Sequence, residues 1–531
     1  MTRDGIAAAE TAPRPGIDML MAAVVSVVLT ALMLGTVTRP GHVLARDFVT
    51  VPDPVVNDAA LGMDGYPPRA VPLDLVSALL AHVVPTSLQQ RGVLLLAVLA
   101  SGIGLALLVR RKRWAAPVAA AAGIWNPFVV ERLLLGQAPT MLAYTAIPWL
   151  VLAAASHGRL LRRVVLVALV AVPAAVTPWG SLATILTLGV VLLHARRGWR
   201  DTWILCVPAL LTLPWLIPAL TSGVDGADQD GAAAFAPRPD SPGGVVLSVM
   251  THGGVWAQGA HLASRREGWA LLASAALIGM ACYGAAWLWR SRRRNACLIV
   301  AGWLLPIVTV LLLATSWAIE ASTELQGVPG FGLIRDVHRL LGWSVAALAI
   351  LVATGVSVLL QQVNRVSSVD VVGPALMLVA VSLSVLTVPD AGGRLRELYR
   401  PTEFPQEWST AVQALPDDRP VLVLPWQTIR APSWNDGRPF VDPLPLAARS
   451  GTVRSTTLSV DRGGAVLLVD DGEPEEAGRW RAGQMDSGSL DAHGIESVFV
   501  WKDTPGDRPE SVPGFTLVHD GPYFAVWRRH A

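Results

Sequence analysis

The chain has 531 residues, 52% of them apolar and only 15% charged, with a mean hydropathy of +0.47. A soluble globular protein of this size does not carry that apolar excess, so the composition indicates a membrane protein. A net charge of +2 gives no electrostatic footprint for nucleic acid, and the three cysteines (Cys206, Cys282, Cys297) have no spacing that suggests a disulfide framework or a metal site.

The first apolar run, 17–38, follows a polar tail, 1–16, and lacks a small-residue cleavage site. It reads as a retained transmembrane helix and not as a cleaved signal. Further runs that reach, or nearly reach, bilayer length fall at 92–110, 114–129, 138–157, 164–178, 180–195, 202–220, 268–289, 296–319, 338–361 and 370–389. Together they predict a polytopic α-helical membrane protein with about eleven transmembrane helices. "VPLDLVSALLAHVVPTSLQQ" (71–90) is predicted to lie along the outer surface, because a crossing there would carry "RRKR" (110–113) to the wrong side. The connectors on the N-terminal side hold 17 basic residues in short loops, and those on the other side hold 10 in much longer ones. That bias predicts a multi-pass plasma-membrane protein with a cytoplasmic N-terminus and outer loops at 39–91, 221–267 and 320–337.

After Pro389 the composition shifts to polar turns between short apolar strands: "PVLVLPW" (420–426), "AVLLVDD" (465–471), "ESVFVWK" (496–502) and "FTLVHDGPYFAVW" (515–527). Helical patterns at 403–415 and 488–496 complete an extracytoplasmic α/β domain over 391–531.

Polar residues concentrate on the outer side. The first loop carries Asp47, Asp53, Asp58, Asp64 and Arg69; "NPFVVERLLLGQAP" (126–139) carries Glu131, Arg132 and Gln137. "LSVMTHGGVWAQGAHLASRREGW" (247–269) adds His252, Trp256, His261 and two arginines, and "GVPGFGLIRDVHRLLGW" (327–343) adds Arg335, Asp336, His338 and Arg339. Ionisable groups at the bilayer boundary are costly unless paired, solvated or used. Arg335, His338 and Arg339 share one helical face at i, i+3 and i+4, which suits a lipid phosphate, although basic residues there also simply snorkel. A carboxylate beside several arginines fits transfer of a sugar from a polyprenyl-phosphate carrier: the acid activates the acceptor hydroxyl and arginine holds the leaving phosphate. Asp53, Asp64, Arg69, Glu131, Arg132, Gln137 and Trp256 are the candidates for contacting substrate or acceptor. "DGADQDG" (225–231) departs from a calcium-loop pattern and reads as a solvated acidic loop.

This order of segments, with "RD" (46–47) early in a long first loop, then "NPFVVERLLLGQAPTMLAYTAIPWL", "VMTHGGVWAQG" and "PGFGLIRDVHRLLGW", resembles the GT-C superfamily of lipid-linked-sugar glycosyltransferases over roughly 17–390. The actinobacterial arabinofuranosyltransferase-like and YfhO-like branch is the most similar. The resemblance implies an inverting transferase that moves arabinofuranose or mannose from a polyprenyl-phosphate sugar to a cell-envelope glycan or glycolipid. It also implies an acidic base in the first outer loop, a position that Asp47 matches. No cofactor is required beyond the donor, no metal site is assigned, and a divalent cation is compatible with the chemistry. Two other classes stay open: a lipid-linked-sugar transporter, disfavoured by the lack of charge within the spans and of any repeat, and a non-catalytic scaffold with the same fold.

Overall fold

A computed structural model describes residues 15–66, 70–195, 198–221, 231–325, 332, 335–366, 371–462, 465–469 and 473–530. Its helices are α1 (Pro15–Leu34), α2 (Leu73–Ala81), α3 (Thr86–Val109), α4 (Ala115–Ile124), α5 (Pro127–Leu134), α6 (Ala138–Ala155), α7 (Leu160–Ala174) and α8 (Pro178–Ala195). They are followed by α9 (Gly268–Ser291), α10 (Arg293–Leu313), α11 (Leu341–Val366), α12 (Val372–Leu386) and α13 (Ala391–Leu398), with shorter turns between.

Among the described residues, seven helices are long and apolar enough to cross a membrane, and up to nine if two bent pairs each count as one span. The bent pairs are Trp199–Leu210 with Leu213–Thr221, at 54°, and Val372–Leu386 with Ala391–Leu398, at 55°. The expected count of eleven is thus not reached, because two of the apolar runs do not form long helices. The run at 114–129 divides: α4 stops after ten residues, Trp125 is extended, and the Asn126 side chain caps α5, which opens on Pro127. Proline suits a first helical turn and cannot continue the preceding one. The run at 164–178 forms α7, whose 15 residues reach only about 22 Å at 1.5 Å per residue.

Small residues bring these helices together. A Cβ at Gly284 of α9 would stand 2.2 Å from the Leu351 carbonyl oxygen, and one at Gly355 of α11 would stand 2.3 Å from that of Met280. Backbones touch at that crossing, the close approach that small residues allow within membrane bundles. α4 is buried along its whole length against α1, α3 and α11. The 71–90 segment forms the short α2 with Val76, Leu79 and Leu80 exposed, and α3 begins at Thr86, earlier than its apolar run suggests.

The C-terminal part is a sheet domain. Its strands are β1 (Val421–Leu424), β2 (Ile429–Arg430), β3 (Phe440–Val441), β4 (Thr452–Val453), β5 (Leu458–Arg462), β6 (Ala465–Val469), β7 (Ser497–Trp501), β8 (Phe515–Asp520) and β9 (Phe524–Arg529). The main sheet runs β4-β1-β7-β9-β8; β1 is parallel to β4 and β7, and β9 is antiparallel to β7 and β8. β1 and β7 are buried at every position, as strands covered on both faces should be. One face packs on Trp408, Phe440 and Phe524, and the other on Trp426, Trp480 and Leu490. Trp408 and Trp426 are core residues of this domain, 4% and 3% exposed.

The loop between α1 and α2 joins the two parts. His42 and Thr402 exchange backbone hydrogen bonds of 2.7 and 2.9 Å, and Asn57 Nδ2 donates to the carbonyls of Pro445 and Ala448. Asp64 pairs with Arg454 at 2.7 Å.

Candidate functional site

Four chain segments meet at the end of the helical bundle that faces the sheet domain. Asp47 comes from the tightest of them. Ala45 and Phe48 hydrogen-bond each other in both directions, at 3.1 and 2.8 Å, so Arg46 and Asp47 form the tip of a two-residue turn. Arg46 takes a left-handed backbone, φ 51°, uncommon outside glycine. The turn is held from both sides. From the sheet domain, the Arg46 N–H donates to Pro439 O and the Val441 N–H to Arg46 O, each at 2.9 Å. From the bundle, Gly136 (φ 74°) lies so close that a Cβ there would stand 2.2 Å from Ala45 O and 2.7 Å from Asp47 N. Only glycine fits that position. Asp47 is exposed, and its carboxylate interacts electrostatically with Arg46, Arg339 and Tyr399.

Behind the turn, α5 presents Arg132, which is wholly buried. Its guanidinium forks onto Asp336, with Nη2 2.8 Å from Oδ1 and Nη1 on Oδ2, and it also meets Gln137 Oε1 and His338 Nδ1, both at 2.8 Å. Arg132 Nε has no hydrogen-bond partner among the described residues. Burial alone would raise the Asp336 carboxyl, but the Arg132 guanidinium, helped by Arg339, holds it well below the usual carboxylate range. Arg339 Nε lies 3.3 Å from Asp336 Oδ2 without hydrogen-bond geometry, and its side chain keeps 21% exposure, where Arg132 keeps 1%.

A second buried network backs the first. Glu131 accepts from the N–H groups of Val255 and Gly254 at 2.9 and 3.3 Å and hydrogen-bonds Asp240, which is forked onto Arg265 at 2.8 and 3.3 Å. Burial, then the Asp240 charge, pushes the Glu131 carboxyl well above the ordinary range. Burial opposes ionisation of Asp240 as well, but Arg265 and the Glu131 hydrogen bond outweigh it and hold its carboxyl low. The two neighbouring carboxyl groups are thus pushed in opposite directions, Glu131 up and Asp240 down. His338 Nε2 reaches Gly253 O at 3.1 Å and Glu131 at 3.8 Å, linking the two networks.

Arg132 and Arg339 border a narrow cleft whose other walls are Phe128, Met141, Tyr144, Ile147, Trp179 and Trp343. Its free volume is about 20 Å³, room for roughly one water. Two guanidinium groups thus stand at one end of an apolar slot between α5, α6, α8 and α11.

Of the residues singled out in the sequence, the fold joins Arg132, Gln137, His338 and Arg339 around Asp336, and the Asp47 charge acts on Arg339, but His338 is buried completely. Arg335 stands 4.5 Å over the Phe235 ring, which in turn meets Trp256 edge-on at 4.6 Å; this stack packs on the β5–β6 hairpin. Glu131 is enclosed among backbone amides and Asp240, and Asp64 is engaged with Arg454. Asp53 lies at the surface, where its charge acts on His42. Arg69 and most of the 225–231 acidic segment lie outside the described residues. Among the described residues no three His, Cys, Asp or Glu side chains converge as a metal site would require. Sequence reasoning noticed Asp336 and Arg265 but gave them no role, and it passed over Asp240 and Tyr399. "RD" at 335–336 was the one available signal, an acid within a basic run at a bilayer boundary.

The chain matches no family model and no curated protein. Among solved structures it is similar to the Archaeoglobus fulgidus oligosaccharyltransferase tethered with an acceptor peptide containing the NVT sequon, at 10% identity and a TM-score of 0.40, over 91% of this chain and 68% of that one. It is also similar to the same enzyme in complex with Zn and sulfate, at 13% identity and a TM-score of 0.35, over 91% and 67% of the two chains.

Proposed function

We propose that this chain is an inverting glycosyltransferase of GT-C type. In this reading it transfers a sugar of the arabinofuranose or mannose class from a polyprenyl phosphate to a glycan or glycolipid of the cell envelope. The observation that carries the reading is one exposed carboxylate, Asp47, whose charge acts on Arg339, an arginine that lines an apolar slot together with Arg132. Asp47 takes the proton from an acceptor hydroxyl, whose oxygen attacks the anomeric carbon from the face opposite the phosphate. The bond from that carbon to the phosphate oxygen breaks, and the lipid phosphate leaves with the electron pair. Arg339, the more exposed arginine, receives the phosphate charge. Arg132 acts through Asp336, fixing where Arg339 stands. The slot is the path of the prenyl chain, which requires the Trp179–Trp343 wall to part, since that space now holds about one water. The turn and the sheet domain then belong on the extracytoplasmic side, as the basic connectors indicate.

The test is transfer of radiolabelled sugar from polyprenyl-phosphate donors to envelope acceptors by the purified full chain and by Asp47→Asn. Transfer by the parent alone supports the assignment, and equal transfer by both removes Asp47 as the base. A non-catalytic scaffold is the second reading, favoured by the engagement of Arg132, Asp336, Glu131, Asp240 and Arg265 with one another in buried pairs. It predicts no transfer from any donor.

A further inference from the structure

A second cavity lies where the loop between α1 and α2, the start of α3 and the sheet domain meet. Gly41, His42, Pro52 and Ser87 form its membrane-domain side, and Glu403 to Gln406, Trp408 and Ser409 form the other. Its volume is about 310 Å³, within the ~300–1,000 Å³ typical of small-ligand sites. The floor is apolar and aromatic: the half-buried Phe404 ring is held edge-on by His42 at 5.6 Å and tilted against Trp408 and Trp434 at 5.1 and 5.5 Å. Around it stand one carboxylate (Glu403), one amide (Gln406) and two hydroxyls (Ser87, Ser409), none of which hydrogen-bonds another described residue.

The lining carries no cationic group. It contains no lysine or arginine, and burial together with Arg91 holds His42 below its ordinary value despite the nearby Asp53. His42 Nε2 is already engaged with Thr86 Oγ1 at 3.1 Å. The Arg91 guanidinium stands behind the Gly41 wall, with Nη2 donating to the carbonyls of Arg39 and Gly41 at 2.8 and 3.2 Å, and does not itself line the cavity. Acceptors and donors spread round an aromatic floor match a neutral ligand rich in hydroxyl groups, with one apolar face.

We propose that this cavity binds a neutral oligosaccharide, as the acceptor-side site of the transferase described above. The inference rests on that reading for the word acceptor, and on the cavity alone for the ligand class. The geometry joins the two sites: the chain runs from His42 in the cavity wall to Asp47 in five residues, at most ~18 Å even if fully extended. The Ala45–Phe48 turn shortens that span. A saccharide of a few units seated on Phe404 can therefore bring a terminal hydroxyl to Asp47.

The test is binding of linear α-mannan and α-arabinan oligosaccharides to the detergent-solubilised full chain, with Kd read from saturation-transfer NMR. Ser409→Trp, which fills the cavity, and the double variant Glu403→Ala with Gln406→Ala are expected to raise Kd at least tenfold. Asp47→Asn is expected to leave Kd unchanged while abolishing transfer. Unaltered melting temperature and size-exclusion profile confirm that the variants fold, and Glu403→Gln, which keeps the shape, should weaken binding less. Three outcomes overturn the proposal: no binding by the parent, equal binding by the cavity variants, or displacement of the oligosaccharide by choline or ethanolamine, which would mark an amine site. Binding that depends on the cavity in a chain that transfers no sugar would keep this inference and remove the enzymatic one. Transfer without cavity-dependent binding would do the reverse.

Discussion

Arg132 and Asp336, 204 residues apart in sequence, form a two-point ion pair closed off from solvent, with side-chain exposures of 1% and 2%. His338 and Gln137 also engage the two terminal nitrogens of Arg132, and Arg339 leans on the same carboxylate. A buried pair of this kind contributes little net stability when intact, but losing one partner strands the other charge.

Arg132→Ala should therefore destabilise the chain by about 3–5 kcal/mol, the usual cost of stranding a buried charge. Arg132→Lys should recover only part of the loss, since lysine cannot fork onto Asp336. Thermal unfolding in detergent checks both. A shift of under about 0.5 kcal/mol, the scale of surface substitutions, would contradict the pairing.

Asp47 is exposed, and its loss should cost activity far more than stability. Asp47→Asn is expected to lower the transfer rate by about 10²–10⁴-fold, the range of general-base contributions, with melting unchanged within the error expected of surface sites. Asp53→Asn, farther along the loop, should change the rate much less. Initial rates with radiolabelled donor separate the two.

Gly136→Ala should act at a distance from the chemistry. The added methyl would collide with Ala45 O at a left-handed position, so the Asp47 turn must shift or the backbone strain. The expected result is more than ~1 kcal/mol of destabilisation together with a fall in the transfer rate. A variant with parental rate and stability would show that the turn is not held from below.

Acid should destabilise the fold through His252, buried against Ser344 with its imidazole held down to about 3 by burial. A base with a depressed native value stays neutral in the fold while the unfolded chain protonates below about 6.5, so stability is lost as pH falls from 6.5 toward 3. For a buried group the slope approaches ~1.4 kcal/mol per pH unit. Asp240 and Asp336, held low, contribute above the ordinary aspartate value, and that contribution goes only as pH falls below it. Glu131, held high, works the other way: its contribution is complete below 4.5 and goes as pH rises through its raised value. His252→Asn keeps a residue that tolerates the φ of 64° found there. It should flatten melting temperature against pH between 6.5 and 5; an unchanged slope would exclude His252 as its source.

The sequence by itself determined the class of molecule, the change of composition near residue 390 and the strands of the second part. Four quoted strand motifs contain β1, β6, β7 and the β8–β9 pair. These features were legible because hydropathy and alternation are local properties of consecutive side chains. The span count was not, because run length cannot register that Pro127 restarts a helix after α4 or that α7 ends at 15 residues. Tertiary structure alone decided the partners. Arg132 finds Asp336 and not its neighbour Glu131, which instead meets Asp240; Asp64 goes to Arg454; and the Arg46–Asp47 turn is held between Gly136 and Phe440. Such pairings depend on where helices cross and how closely their backbones approach. Contacts across hundreds of residues leave no trace in the spacing of one segment.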